Sequence, residues 1–220
     1  MSDPRAYGRQ LARESIERGD PFGWFERLYV ESRERGFAIS WVDLEPNPYL
    51  VAWLREQETP LHGRAAVVGC GYGDDAELLA GSGLEVVAFD IAPAAIATCK
   101  ERFPESAVEY TVADATNPPA EWRGAFDFVF EAYTVQVLVG SVRAECARRI
   151  GELVAPGGRL LVVARARKRE DPEGLMPWPL LREELDEFLA PRVRLANLAE
   201  VLEPGDPPVP RFVAEFAREH

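Results

Sequence analysis

From residue 64 onward the chain alternates short apolar runs with helical stretches, and this alternation decides what it can fold into. The runs 65–68, 85–89, 108–112, 126–130 and 160–163 are largely apolar, as strands buried on both faces are. Stretches of helical character at 75–80, 94–102 and 142–153 lie between them. A repeating β-α-β-α order calls for a parallel sheet flanked by helices. The tail differs. Residues 193–202 and 209–216 flank Glu203-Pro204-Gly205-Asp206-Pro207-Pro208, a turn sequence joining two strands directly. In the second of these, Phe212, Ala214 and Phe216 alternate with Arg211, Val213 and Glu215. The expected architecture is an α/β, doubly wound sheet of five parallel strands finished by an antiparallel hairpin.

The first sixty residues carry no strand pattern. Phe22, Phe25, Leu28 and Tyr29 recur at helical spacing behind Asp20-Pro21, a capping residue followed by a proline at the first helical position. Residues 36–43, followed by Pro46 and Pro48, read as an ordered loop, and 49–56 as a second short helix. A single domain over 1–220 is expected, with a helical lid over 1–60 and a core over 61–220.

Composition narrows the function. At 47% hydrophobic, the chain can build a sizeable core, which excludes wholesale disorder. A net charge of -12 argues against sequence-independent nucleic-acid binding and against a polybasic membrane anchor. Cys70, Cys99 and Cys146 are odd in number and widely spaced, implying neither a disulfide framework nor zinc, and only two histidines are present. Met1-Ser2-Asp3-Pro4-Arg5 lacks an apolar signal core, and no run approaches a membrane span. The expectation is a reduced, cytoplasmic protein without a metal, acting on a small molecule. Monomer and dimer are both left open.

The first apolar run leads into Gly69-Cys70-Gly71-Tyr72-Gly73-Asp74-Asp75. Glycines there permit positive φ and remove side chains that would hold a ligand off the backbone, although such turns also serve to pack a helix on a strand. The spacing is not the G-x-G-x-x-G of pyrophosphate sites, and Asp74 and Asp75 would repel a pyrophosphate. A ligand bearing positive charge suits this turn better than a dinucleotide. Asp90, followed by Ile91, ends the second run. It is placed to accept both hydroxyls of a ribose or to cap the helix starting near Pro93, and its coincidence with the glycine turn favours the ribose. Asp114 ends the third run, either accepting from an adenine amino group beside the Ala115 N–H or shaping a turn. The fourth run ends in Glu131-Ala132-Tyr133, and Pro156-Gly157-Gly158 leads into the fifth. These positions share the carboxyl edge of one sheet, where open α/β folds bind ligands. The ligand they describe has an adenosine and a cationic group, as S-adenosylmethionine does.

Over roughly residues 64–202 these motifs resemble those of the class I, Rossmann-like S-adenosylmethionine-dependent methyltransferases. Val67 stands where those enzymes usually carry an acid. The turn from Val68 to Asp74 is most similar to that of the thiopurine and thiol/halide methyltransferase group, which also lacks that acid. Gly23-Trp24-Phe25-Glu26-Arg27-Leu28-Tyr29, then Trp41-Val42-Asp43, and the segment 174–185 after the fifth run are similar to the same group. Ser40 replaces the usual proline before Trp41, and Glu131-Ala132-Tyr133-Thr134-Val135-Gln136 departs from the thiopurine enzymes. The resemblance implies methyl transfer from S-adenosylmethionine to a small molecule, with a thiol or other soft sulfur acceptor. It places Trp41 beside the donor, where the turn and the strand ends already put Gly69, Cys70, Gly71, Gly73, Asp90, Ile91, Asp114, Ala115 and Glu131.

A thiolate acceptor needs no general base. A hydroxyl, carboxylate or amine acceptor would need one, and Glu131 and Tyr133 are the first candidates. Glu131 could equally orient the donor's amino group or be a solvated strand-end acid. Trp24, Tyr133 and Trp178 are expected to line the acceptor pocket. Arg165 leaves the fifth run with Arg167, Lys168 and Arg169, a segment that reads most simply as a solvated basic loop. Arg165, nearest the strand end, is the choice if the acceptor carries a carboxylate. A non-catalytic S-adenosylmethionine-binding module is the reading from another class. A nicotinamide-dependent oxidoreductase is disfavoured by the glycine spacing and the paired aspartates.

Overall fold

All five apolar runs form parallel strands in the computed structural model, which describes residues 4–205 and 207–220. Asp206, in the 203–208 turn, and Met1-Ser2-Asp3 lie outside the described residues. The strands are β1 (Arg64–Val68), β2 (Glu85–Asp90), β3 (Glu109–Val112), β4 (Phe126–Ala132) and β5 (Val154–Arg165), linked by α4 (Asp74–Gly81), α5 (Pro93–Arg102) and α6 (Gly140–Leu153). The tail forms the expected antiparallel pair, β6 (Val193–Glu203) and β7 (Val209–Arg218). Strand order is β3-β2-β1-β4-β5-β7-β6. The chain therefore winds outward from β1 to β3 and then returns to β4 on the other side of β1. Open α/β sheets hold their ligands at such a reversal, outside the carboxyl ends of the strands.

The fifth strand is longer than the sequence suggests. It begins at Val154 and carries Pro156-Gly157-Gly158 within it, with a shift of register against β4 between Phe126 and Phe128.

Alternation sorts the strand residues onto two buried faces. Val68, Val87, Phe89, Leu160 and Val162 pack with Cys146, Ile150 and Leu153 of α6. Val67, Val86, Phe128, Phe130 and Leu161 pack with Leu79 of α4 and Ile96 of α5. Leu50 and Trp53 of α3 (Pro48–Arg55) join this second face. Trp53 stacks on Phe128 at 4.8 Å and donates to the Glu215 carboxylate at 3.2 Å. The third helix is thus part of the core, and a lid boundary at residue 60 is too late.

Ahead of the third helix, α1 (Pro4–Glu17), α2 (Gly23–Arg35) and the loop that follows form the N-terminal layer expected from the sequence to act as a lid, hereafter the lid. Leu11, Trp24, Leu28, Tyr29 and Ile39 bury against Ala92, Ala94, Ala95 and Met176. The second helix starts at Gly23, not at Pro21. The Asp20 carboxylate accepts the N–H groups of Phe22 and Gly23 at 3.1 and 2.8 Å, so the cap sits ahead of the proline and the helix begins beyond it. Among the described residues, no helix is long and apolar enough to cross a membrane.

Candidate functional site

The glycine turn, the ends of β2, β3 and β4, and the lid enclose one cavity of about 600 Å³. Gly69, Gly71 and Gly73 all adopt positive φ. The first two do different work. A Cβ on Gly69 would lie 2.2 Å from Thr134 Oγ1, so this glycine lets the turn close on the end of β4. A Cβ on Gly71 would meet only Tyr29 Oη at 3.6 Å, so this glycine leaves the backbone open to the cavity.

The carboxylate of Asp90 is buried and accepts the Gly71 N–H at 3.1 Å and the Ala92 N–H at 2.9 Å. It staples the glycine turn to the start of α5 while lining the cavity. Two accepted bonds leave a carboxylate further acceptor capacity. Asp114 makes the turn that its alternative reading gave: one oxygen accepts both the N–H and the hydroxyl of Thr116, each at 2.7 Å. It too lines the cavity, beside Ala115, as does Ile91 next to Asp90.

Asp74 and Asp75 are less available to a ligand than their positions imply. Arg102 grips Asp74 through two bonds of 2.7 and 2.8 Å. Asp75 accepts the Asn47 N–H at 2.6 Å, and burial raises its pKa to about 6. Cys70 lines the cavity, but its neighbour Cys99 and burial push its thiol well above the ordinary value, so it is no thiolate.

Three expected residues are placed otherwise. Glu131 does not line the cavity; it is fully buried, and one oxygen accepts the N–H groups of Thr134 and Val135 at 2.6 and 3.1 Å. It folds the backbone after β4 and is neither a solvated acid nor a base facing the cavity. Trp24 is buried within the lid, stacked on Phe25 at 3.9 Å, with its indole N–H bonded to the Pro21 carbonyl. Trp178 packs in the lid cluster under Arg143, and its neighbours Met176 and Pro177 line the cavity instead. Both tryptophans belong to packing because their rings face the lid's own apolar residues.

Trp41 and Tyr133 do line the cavity. The Trp41 indole donates to Tyr29 Oη at 3.3 Å and meets Trp24 edge-on at 6.0 Å. Tyr133 holds a left-handed φ of 65°, a costly conformation for a residue with a side chain, and such outliers gather at functional sites. Burial raises its hydroxyl to about 12. The Arg211 guanidinium lies over its ring at 4.9 Å.

Arg165 also lines the cavity, and Gln136 fixes its backbone by accepting its N–H at 2.8 Å. Around it stand residues that sequence reasoning missed: Arg5 and Arg9 of α1, Glu203 of β6 and Arg211 of β7. The alternation in β7 was visible, but it says only that Arg211 opposes Phe212, not that its side of the sheet borders a cavity.

Three buried carboxyls give a pH dependence. Burial raises Asp75 and Asp90 to about 6 and Glu131 to about 7. A carboxyl raised in this way binds its proton more tightly in the folded state than in the unfolded chain. The stability it confers is full below the unfolded pKa and is lost as pH rises through the folded one. Glu131 alone should cost roughly 3 kcal/mol across that window. The share of Glu131 alone should lower the melting temperature of the ligand-free protein by roughly 6–12 °C between about pH 5 and about pH 8, and Asp75 and Asp90 add to it. Glu131→Gln should make the fall shallower and leave the part due to Asp75 and Asp90. A melting temperature that holds or rises over this range would contradict the buried-acid account.

Comparison with known proteins agrees with this geometry. Residues 66–162 match the family described as a methyltransferase domain. The chain is 30% identical over 148 residues to a probable thiol methyltransferase 2 of Arabidopsis thaliana, covering 63% of this chain and 65% of that protein. It is 34% identical over 119 residues to a ubiquinone biosynthesis O-methyltransferase of Thiobacillus denitrificans, covering 52% and 49%. The chain thus spans less than two thirds of the length of the curated relatives it matches. In fold it is similar to Burkholderia thailandensis 1,6-didemethyltoxoflavin-N1-methyltransferase, solved with S-adenosylhomocysteine and 1,6-didemethyltoxoflavin bound. The TM-score is 0.67, over 100% of this chain and 92% of that one, at 17% identity. Residues 66–162 thus match a methyltransferase family, on a Rossmann-like fold similar to that of solved S-adenosylmethionine-dependent methyltransferases.

Proposed function

We propose that the chain is a cytoplasmic enzyme that methylates a small-molecule thiol, or another soft sulfur nucleophile, from S-adenosylmethionine. The turn fits that donor: at Gly71 the backbone faces open cavity, and Asp90 and Asp114 stand at successive strand ends with acceptor capacity to spare. Gly69, Cys70, Gly71 and Gly73 would hold its methionine portion, Asp90 and Ile91 its ribose, Asp114 and Ala115 its adenine. Bound there, the donor supplies an electrophilic sulfonium methyl group. The protein's share of the work is positioning, with Trp41 and Tyr133 as apolar walls that keep water from the reacting atoms.

The observation that carries the sulfur reading is the state of the two candidate bases. Glu131 is walled off from the cavity, and Tyr133 holds its proton to about 12. A thiol ionised at the assay pH needs neither. Tyr133→Phe should then change turnover of such a thiol by less than about threefold, since no proton is removed in the step. A loss of about a hundredfold would reject thiolate attack. The likeness to the O-methyltransferase supports a second reading, a hydroxyl acceptor whose proton goes to another cavity carboxylate. Screening thiols, sulfide, phenols and carboxylates for S-adenosylhomocysteine release separates the two. Donor binding without release for any acceptor would make the chain a binding module.

A further inference from the structure

The cavity is divided by charge along the sheet. The residues assigned to the donor sit at the ends of β1, β2 and β3, and four arginines sit on the far side of β4. Arg165 ends β5, Arg211 opens β7, and Arg5 and Arg9 come from α1 above them. Neighbouring strands lie about 4.8 Å apart, which sets Arg165 roughly 10 Å along the edge from the glycine turn. Tyr133, at the end of β4, stands between the two halves.

Among the described residues, Arg9, Arg165 and Arg211 line this side of the cavity together with one carboxylate, Glu203, and that carboxylate is paired with Arg211. Burial and the charges of Arg211, Arg5 and Arg9 lower Arg165 below its ordinary pKa. Arg211 is only 9% exposed, and its Nε is buried without a hydrogen-bond partner. Arg9 is held in place by a 2.7 Å bond to the Met176 carbonyl. A chain of net charge -12 thus gathers the guanidiniums of Arg9, Arg165 and Arg211 on one half of one cavity, where they can hold an anionic group. Guanidiniums offer planar forks of donors suited to oxyanions.

We propose that this cluster binds an oxyanion group of the methyl acceptor, a carboxylate or phosphate, and so selects anionic acceptors over neutral ones. The proposal rests on reading the cavity as a methyltransferase site, but its test does not require turnover. Benzoate, phenyl phosphate and neutral benzamide are titrated calorimetrically into the 220-residue chain, with and without S-adenosylhomocysteine. At least one anion should bind about tenfold or more tightly than benzamide, as a charge-assisted pair predicts. The tighter of the two anions names the group. Arg165→Gln should erase the preference while leaving S-adenosylhomocysteine affinity within about twofold. Arg9→Gln serves the same purpose if the first variant does not fold. Equal binding of anions and benzamide, no binding by any of them, or a full preference retained in a folded variant would overturn the proposal. Failure of S-adenosylhomocysteine to bind would instead overturn the methyltransferase reading, with the anion titrations still readable.

Discussion

Replacing Gly71 with valine should abolish measurable binding of S-adenosylmethionine and leave a folded protein. The new side chain points into open cavity, 3.6 Å at its first atom from Tyr29 Oη, and so fills the space beside the open backbone. The left-handed φ of 55° adds a strain of about 1–2 kcal/mol, enough to lower the melting temperature by several degrees. Gly69→Val is the contrasting variant. Its Cβ would strike Thr134 at 2.2 Å, and the closure of the turn on β4 should fail, taking stability with it. Calorimetric titration and thermal melts distinguish the two. Normal donor binding by Gly71→Val would place the ligand elsewhere, and a Gly71→Val chain that cannot fold would make this glycine a packing residue.

A chain beginning at Pro46 should fold, bind the donor weakly, and lose at least about a hundredfold in turnover, because the walls that position the acceptor and exclude water go with the lid. What is removed is substantial. Leu11, Trp24, Leu28, Tyr29 and Ile39 are each at most 5% exposed, and at about 1.5–3 kcal/mol apiece they hold the lid firmly against α5. What remains keeps α3, the Asn47 N–H bond to Asp75 and the Trp53–Phe128 stack. A chain beginning at Pro60 strips those as well and should be insoluble. Turnover within tenfold of the full chain by the shorter deletion would detach the lid from the site. Hydrogen exchange should find its slow change in the 40–47 loop, where Leu44 is 58% exposed, rather than in the two helices.

Why some of this could be read from the sequence and some could not has a physical basis. Strands buried on both faces must be apolar in succession, so β1 to β5 announce themselves and place the glycine turn and the strand-end acids on one edge. The first helix does not, since the stripe it buries is Gly8, Leu11, Ala12 and Ser15. Its spacing is helical but its residues are small, and three of the four carry little apolar signal. Asp90 and Asp114 could be placed, whereas their backbone bonds could not, because those depend on how a loop returns to its own strand end. Glu131 shows the limit most clearly. An acid near a strand end reads as solvated, yet here the chain doubles back and spends the carboxylate on two backbone N–H groups. The arginine cluster was out of reach because its members are separated by most of the chain and meet only once α1 lies over β5 and β7.

The position of β7 bears on how the protein is made. Although it follows β6 in the chain, it lies inside the sheet, pairing with β5 on one side and β6 on the other. On a ribosome the parallel sheet of β1 to β5 can close as soon as β5 has emerged. The edge of β5, with Leu160, Leu161, Val162 and Val163, then waits unpaired while some forty residues more are synthesised, about two to nine seconds at ordinary elongation rates. Sheet edges of that composition recruit other strands. β6 cannot cover it, since its own partner is β7. Nascent chains stalled between residues 165 and 209 should therefore be the form that aggregates or calls on a chaperone, whereas release of β7 closes the edge and, in the same step, delivers Arg211 to the cavity.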